Sequence, residues 1–410
     1  MKIAILAYHF KPDEAVGSIR PENWADWLSQ EHEVCVITRE AKNYQNNNAN
    51  TYKVVRPKSL AIRLLEALND YRKNKRLLSQ IAIRNRKTIT EPVVSIANSG
   101  VFVYRMPCFY DLWFLSAFKA LKKENPDLVI ATHSPYISII IAYYYCRLYK
   151  KAKLWLDFRD LWSTNHLATG FPFFSWVEKK IENLALLKAN MISTVSEGLR
   201  KELSLLSDGK KTELIYNCPA KMNIQPSIKK LDDKIITFCY TGTIYSGWRD
   251  PTPLFIMLGH LAKNRKIIPA NVRFCVASKN PGNLIELAKK FQVLEFIDFK
   301  GSLSRKDAIL LQASSDILVL METSAPSAVG ILTGKVFEYL STEKPILLIG
   351  PGKDSELYTL INKHNRLISL EEAQQILEGC LAMPTYQAVN YSDLSRKQVL
   401  NAIRSLALPC

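Results

Sequence analysis

Short apolar runs alternate with segments of helical periodicity along most of this chain. Seven runs in the first half predict strands, at 2–8, 33–38, 101–106, 127–132, 153–158, 191–196 and 212–217. Five more follow, at 235–242, 272–278, 295–301, 316–321 and 345–350. Apolar residues three and four positions apart predict helices between them, at 20–30, 137–151, 176–189, 251–264, 282–291, 304–314 and 334–342. Buried strands separated by helices form parallel sheets covered on both faces, so the pattern predicts an α/β protein.

The alternation stops once, at 217–234, a polar stretch with two prolines and no periodicity. A chain of 410 residues is too long for one ordinary core. We therefore expect two Rossmann-like, doubly wound domains, 1–216 and 235–385, joined by this linker and facing each other across a cleft. The tail, 386–410, predicts a C-terminal helix that packs back on the first domain.

The net charge of +17 is unevenly spread: one segment carries a large share of it, and the remaining surplus is diffuse. Between Lys53 and Lys87 there are eleven Lys or Arg residues against two acidic ones, Glu66 and Asp70. The surplus suits nucleic acid, an anionic membrane or an anionic substrate. No helix-turn-helix, zinc-finger or RNA-recognition motif is present, so nucleic acid is not expected. Leucines at helical spacing among these charges predict a basic helical insertion at 53–90, suited to an anionic membrane surface or, alternatively, packed on the domain core.

The eight cysteines are scattered, without a Cys-x-x-Cys pair or histidines at metal-binding spacing. This pattern argues against zinc and against a disulfide framework, and it suits a reducing cytoplasm. The first residues predict a strand rather than a secretion signal. The longest apolar stretch, 136–146, is far shorter than the roughly 20 residues that span a bilayer. We expect a cytoplasmic protein, at most peripheral on the inner face of the membrane.

Ligands bind parallel sheets at the carboxyl ends of the strands, beside glycine loops and helix N-termini. In the first domain the candidates at such ends are Gly17, Ser18, Arg20, His133, Asp157, Arg159 and Asp160. Gly17 and Ser18 precede a helix whose free amides could bind an anion, and Arg20 could extend that site. The alternatives are a plain strand–helix turn, a structural Arg–Asp pair and a histidine that only lines a wall.

In the second domain, Gly242 follows the first strand and would let the backbone approach a ligand closely. Arg249 could grip a phosphate with two hydrogen bonds, or it could be a surface arginine. Thr243, Gly301 and Ser302 lie in the same kind of loop. We expect these residues beside a bound nucleotide.

One further stretch, "GILTGKVFEYLSTEKPILLIG" (330–350), carries the most information. Thr333 and Gly334 precede a helix whose first amides, together with Lys335, would face a diphosphate. Glu338, one turn on, could accept hydrogen bonds from ribose hydroxyls. Spacing alone does not distinguish this site from an ordinary Lys–Glu surface pair.

The chain resembles the GT-B glycosyltransferases, in particular the family 4 group that builds bacterial surface polysaccharides. The resemblance lies in the order and spacing of "PDLVIATHSP", "LWLDFRDLW", "YTGTIYSGWRD" and "GILTGKVFEYLSTEKPIL". The family signature is a glutamate, seven residues and a second glutamate. Glu338 matches the second, whereas Gly330 stands where the first would be. Thr243 replaces a phosphate-binding arginine of many relatives, and Arg159 lies near the register of an active-site histidine in some of them.

The resemblance implies transfer of a sugar from a nucleoside diphosphate sugar to a glycan, often lipid-linked, with retention and without a metal or other cofactor. It implies that Glu338 binds the donor's ribose and that Thr333 and Gly334 face its diphosphate. Arg249, Lys335, Arg159 and Asp160 are the residues we expect to act in catalysis. Two alternatives stay open, an inactive partner subunit and a sugar-nucleotide epimerase of the same fold.

Overall fold

The computed structural model describes residues 1–13, 16–41, 51–59, 63, 101–102, 105–164, 170–219, 234–244, 249–279, 281–324 and 332–407. The greater part of the predicted linker 217–234 and of the insertion 53–90, and also Gly330, lie outside these residues. The chain divides into two compact units. The first contains Met1–Val195, Leu199–Ile215 and Arg396–Cys410, and the second contains Ser196–Gly198 and Tyr216–Ser395.

The first unit is built on a parallel sheet. Its described strands are β1 (Lys2–Leu6), β2 (Glu33–Ile37), β3 (Lys53–Val55), β4 (Val101–Phe102), β5 (Arg105–Cys108), β6 (Leu128–His133), β7 (Lys153–Phe158), β8 (Met191–Thr194) and β9 (Thr212–Leu214). Seven of them form one sheet in the order β3-β2-β1-β6-β7-β8-β9, with every neighbouring pair parallel. The order of the strands along the chain therefore reverses between β1 and β6, and folds of this kind bind ligands at the point of reversal.

Helices follow most of these strands. They are α1 (Val16–Leu28), α2 (Phe114–Glu124), α3 (Ile137–Leu148), α4 (Pro172–Lys188) and α5 (Glu197–Leu206). One core joins α2, α3 and α4 to a face of the sheet, through side chains such as Leu6, Leu121 and Ile141. The prediction of a sheet strand at 101–106 is wrong, because β4 and β5 form a separate two-stranded sheet.

The second unit has a sheet of six strands: β10 (Ile236–Thr241), β11 (Val272–Ala277), β12 (Ile297–Gly301), β13 (Ile317–Met321), β14 (Ile346–Ile349) and β15 (Leu367–Ile368). Their order is β12-β11-β10-β13-β14-β15, all parallel. Counted within this unit, the order is 3-2-1-4-5-6, the Rossmann order. The switch point lies between β10 and β13.

Helices cover both faces of this sheet. They are α6 (Thr252–Lys263), α7 (Leu284–Lys290), α8 (Arg305–Ser314), α9 (Gly334–Leu340), α10 (Glu356–Lys363) and α11 (Leu370–Leu377). A last helix, α12 (Tyr391–Ala407), begins in the second unit and continues into the first. Alternate residues of β10 enter opposite cores, since Phe238 and Tyr240 belong to one cluster while Cys239 belongs to the other. Over the described residues, none of the helices combines the length and apolar character needed to cross a bilayer.

Candidate donor-nucleotide site

The carboxyl ends of β10 and β13 bring together the residues of the stretch at 330–350 and the loop after Thr241. Lys335, in the first turn of α9, extends across Gly242, which directly follows β10. A Cβ built on Gly242 would lie 2.2 Å from both Cε and Nζ of Lys335. Gly242 also has φ +137°, a conformation that L side chains rarely adopt. The space beside Gly242 is filled by the side chain of Lys335. The close approach of a ligand to this glycine stays a prediction.

Lys335 is a partly buried cation. Its Nζ lies 5.2 Å from the centre of the Tyr240 ring. Desolvation, reinforced by the positive charge of Arg249, lowers the pKa of Lys335 from 10.5 to about 8. The nearby carboxylates of Glu322 and Glu338 act in the opposite direction on this pKa. Such a group is costly to hold charged without an anion, and a diphosphate would supply one.

Arg249 forms an ion pair that the sequence did not predict. Its guanidinium donates to the carboxylate of Glu322 at 2.9, 3.1 and 3.2 Å, and its Nη1 donates to the carbonyl of Thr243 at 3.0 Å. Both charged side chains are largely buried, with 17% and 15% exposure. Glu322 directly follows β13, so the same strand-end criterion that selected Gly242 would have found it. A cation and its counter-ion therefore stand beside Lys335.

Glu338 lies one turn beyond Lys335 on α9, and its carboxylate contacts two side chains of α8. Its Oε2 accepts from Nε2 of Gln312 at 3.3 Å, and its Oε1 lies 3.5 Å from Nη2 of Arg305. Gln312 is 1% exposed and also donates to Oγ1 of Thr241 at 2.8 Å. The carboxylate is fixed in direction, and each oxygen can accept a further hydrogen bond. The sequence predicted Glu338 as a site residue, but it did not predict the contacts of Glu338 with Gln312 and Arg305.

The remaining predicted donor residues are placed differently. Thr333 precedes α9 in extended conformation without a side-chain cap, and Gly334 is the first residue of the helix. Gly301 has φ +66° and ends β12, the edge strand, with Ser302 next to it. Two strand spacings, about 10 Å, separate β12 from β10. Among the described residues, no hydrogen bond joins Gly301 or Ser302 to the cluster around Lys335, and their role stays a prediction.

In the first unit, the ends of β1, β6 and β7 also gather predicted residues. The guanidinium of Arg159 donates to the carbonyls of His133 (2.9 Å), Ser134 (2.8 Å) and Gly17 (3.1 Å). His133 is 4% exposed, and its Nδ1 lies 3.1 Å from the carbonyl oxygen of Asp160. That contact assigns the proton to Nδ1 in the neutral ring. Desolvation and the charge of Arg159 lower the pKa of His133 to about 3, so the ring is neutral at physiological pH.

Arg20 is hydrogen-bonded to other residues of the first unit. It donates two hydrogen bonds of 2.8 Å to the carboxylate of Asp157 and one of 2.9 Å to the carbonyl of Ile215. Arg20 and Asp157 have side-chain exposures of 5% and 0%. Ser18 is buried as well, at 3%. Asp157 is therefore paired with Arg20 and not with Arg159, the partner considered for it in the segment 157–160. The anion-binding role of Arg20 stays a prediction.

No cluster of metal-ligating side chains occurs in the described part of the chain.

The chain, with its two α/β units built on parallel sheets, resembles solved structures along its whole length. OtsA in its apo form gives a TM-score of 0.61 at 11% identity, covering 100% of both chains. A glycosyltransferase from Rickettsia africae ESF-5 gives 0.55 at 16% identity, covering 98% of this chain and 93% of that one. A putative UDP-N-acetylglucosamine 2-epimerase from Listeria monocytogenes gives 0.51 at 13% identity, covering 98% and 96%.

These identities show the fold alone. The prediction of two doubly wound domains of the GT-B type is confirmed. No family model matches the sequence. No curated protein matches it either. The assignment to family 4 and the predicted site residues stay predictions.

Proposed function

We propose that the chain is a glycosyltransferase that moves a sugar from a nucleoside diphosphate sugar to a glycan acceptor. The observation that supports this most is the arrangement on α9. Lys335 reaches over Gly242 at the switch point of the second sheet, and Glu338 follows one turn later. A cation beside a glycine loop and a carboxylate about 5 Å further along the axis match a diphosphate and the ribose attached to it.

The donor would be bound by charge and by hydrogen-bond direction. Lys335 and Arg249 would face the diphosphate, with the first amides of α9, at Thr333 and Gly334, as further donors. Glu338 would accept from the ribose hydroxyls on the lone pairs that Gln312 and Arg305 leave free. Because α9 has only seven residues, the proposal depends on the two cationic side chains more than on the helix dipole.

The proposed chemistry is front-face substitution with retention. The acceptor hydroxyl attacks the anomeric carbon, the bond from that carbon to the diphosphate oxygen breaks, and the leaving diphosphate takes the electron pair. Lys335 and Arg249 stabilise the charge that develops on the leaving group. The acceptor proton passes to a phosphate oxygen, so no side-chain base and no metal is required.

For the acceptor, we infer a role of the first unit. Gly17, His133 and Arg159 meet at the carboxyl edge of its sheet, with Asp160 beside them. Arg159 and Asp160 would carry the charge of that edge, and the neutral His133 could accept a hydrogen bond at Nε2. A lipid-linked glycan at the inner face of the cytoplasmic membrane, in bacterial capsule, O-antigen or exopolysaccharide synthesis, is the acceptor that we propose.

Calorimetry with UDP and GDP tests the ribose contact. Glu338→Ala should weaken binding of the preferred nucleotide by about 1.5–3 kcal/mol, the range for hydrogen bonds to a charged group. Glu343→Ala is a matched control, because Glu343 is exposed in the turn after α9. Unchanged affinity of Glu338→Ala for both nucleotides would remove this residue from the site.

A panel of nucleotide sugars separates the three candidate activities. A transferase should hydrolyse its donor slowly without acceptor and release the nucleoside diphosphate. An epimerase would instead convert the sugar nucleotide into its epimer, the reaction after which the Listeria neighbour is named. An inactive partner subunit would bind the nucleotide without changing any donor.

A further inference from the structure

Helix α4 has one face in the core of the first unit and another that the described residues leave exposed. Its inner face carries Glu178, Glu182, Ala185 and Leu186, all buried. On the opposite side, Phe173, Trp176, Leu184 and Leu187 are 68%, 61%, 41% and 47% exposed. With Lys180 they follow each other at intervals of three and four residues, which places them on one line along the helix. We call these five residues the α4 outer face.

The charges of α4 are separated in the same way. Both of its acidic side chains point inward. Glu178 accepts from Nε of Arg105 and from the amide of Met106, each at 2.8 Å, and Glu182 accepts from the amide of Ser163 at 3.2 Å. The three lysines, Lys179, Lys180 and Lys188, are exposed. Every charge that α4 presents to its surroundings is therefore positive.

Single exposed apolar residues are common and need no explanation. Here four of them share one line on α4. The ion pair between Glu178 and Arg105 fixes the rotation of the helix, so this face cannot turn inward. Nζ of Lys180 lies 5.2 Å from the centre of the Trp176 ring, in the middle of the line. Aromatic rings with lysines between them are typical of helices that lie in the headgroup region of a bilayer.

We propose that the α4 outer face docks on a membrane containing anionic lipids, with Phe173 and Trp176 inserted among the headgroups and the lysines on the phosphates. A second copy of the chain is the weaker candidate, because facing copies would bring Lys180 and its neighbours together without exposed acidic partners on α4. The proposal does not rest on glycosyl transfer and is separate from the basic segment 53–87.

Flotation with vesicles of phosphatidylcholine alone or with one-third phosphatidylglycerol tests the proposal without any substrate. Binding is expected only to the anionic vesicles and should weaken as salt rises. Replacing Lys179, Lys180 and Lys188 by Gln should reduce the partition coefficient by about a hundredfold. The double variant Phe173→Ser, Trp176→Ser should abolish measurable binding. The matched control is Lys201→Gln with Leu205→Ser on α5, which also removes an exposed cation and a leucine that is 77% exposed.

Brominated lipids add a positional readout. They should quench part of the tryptophan fluorescence of the wild type, and Trp176→Phe should keep the binding but lose that quenching. The proposal is overturned if anionic vesicles are ignored at low salt. The proposal is equally overturned if the double serine variant still binds the vesicles while its thermal unfolding transition shows that it is folded. Another segment would then be responsible for membrane binding. A dimer in sedimentation that Trp176→Ser dissociates, with no vesicle binding, would identify a second copy as the occupant.

Discussion

The side chain of Lys335 fills the space that a side chain on Gly242 would occupy. A Cβ on Gly242 would come within 2.2 Å of both Cε and Nζ of Lys335. The two residues lie on different elements, the end of β10 and the first turn of α9. The glycine therefore determines where the cation of the proposed donor site stands.

Gly242→Ala should remove Lys335 from this position. The backbone strain at φ +137° adds about 1–3 kcal/mol of destabilisation. Nucleotide affinity should fall, as measured by calorimetry, and the melting temperature should drop by a few degrees. Gly352→Ala is the control, because a Cβ there meets no atom within 4 Å. If Gly242→Ala binds the nucleotide with wild-type affinity, the position of Lys335 over Gly242 is not required for binding.

If Lys335 faces the diphosphate as proposed, its lowered pKa should make nucleotide binding depend on pH. Below pH 8 the free side chain is charged, and above pH 8 it progressively loses its proton. A bound diphosphate raises this pKa, so binding near pH 8 should take up a proton, and affinity should fall by up to about tenfold per pH unit above it. Calorimetry in buffers of different ionisation enthalpy measures the uptake. Lys335→Arg should bind without uptake, because its guanidinium stays charged throughout. The same uptake in Lys335→Arg would assign the proton to another group.

In the proposed donor site, Glu322 would compete with a diphosphate for Arg249. The pair is bidentate, with its shortest contact at 2.9 Å. Glu322→Gln removes the competing negative charge and should strengthen nucleoside diphosphate binding by about 1 kcal/mol. Arg249→Gln should weaken binding and turnover, whereas Glu343→Gln should change neither. If Glu322→Gln weakens binding as much as Arg249→Gln does, Glu322 positions the arginine rather than competing for it.

Gln312 orients the carboxylate of Glu338. Its amide bridges Oγ1 of Thr241 and Oε2 of Glu338, at 2.8 and 3.3 Å. Gln312→Met keeps the shape and removes the donor, which should cost about 1 kcal/mol of nucleotide affinity. The informative quantity is the ratio of affinities for UDP and 2′-deoxy-UDP, or for the guanosine pair if GDP is preferred. Glu338→Ala should bring this ratio close to one, and Gln312→Met should reduce it. An equal loss for both nucleotides would mean that Gln312 supports the fold and not the ribose contact.

The alternation of apolar runs was sufficient for the architecture. The strand predicted at 153–158 has the bounds of β7, and the helices predicted at 304–314 and 334–342 coincide with α8 and α9 to within two residues. These elements follow from local periodicity, and α8 is further defined by an N-cap at Ser304, whose side chain accepts from the amide of Asp307. The sequence analysis missed the short strands β3 and β15, because segments of three and two residues are too short to show a periodic apolar pattern.

The contacts within the candidate site were predictable only where its residues are neighbours along the chain. Lys335 and Glu338 share one helix, so their spacing suggested the site. Arg249 and Glu322 are 73 residues apart, and Arg20 and Asp157 are 137 apart. Such pairs depend on the strand order, which periodicity does not determine. The sequence could therefore name charged residues at strand ends without showing which of them neutralise one another.

Removing one partner of the buried pair of Arg20 and Asp157 should strongly destabilise the first unit. Both side chains are almost fully buried, and Asp157 also accepts from Oγ of Ser193 at 2.7 Å. Arg20→Met leaves the carboxylate without its counter-ion in the core, which should cost about 3–5 kcal/mol in urea denaturation. Replacing both residues, Arg20→Met with Asp157→Leu, should recover part of the loss, because no unpaired charge is then buried. Lys211→Met, in an exposed pair with Glu213, should change stability by less than about 1 kcal/mol. If Arg20→Met is as stable as the wild type but loses affinity for an anionic ligand, Arg20 belongs to the binding site after all.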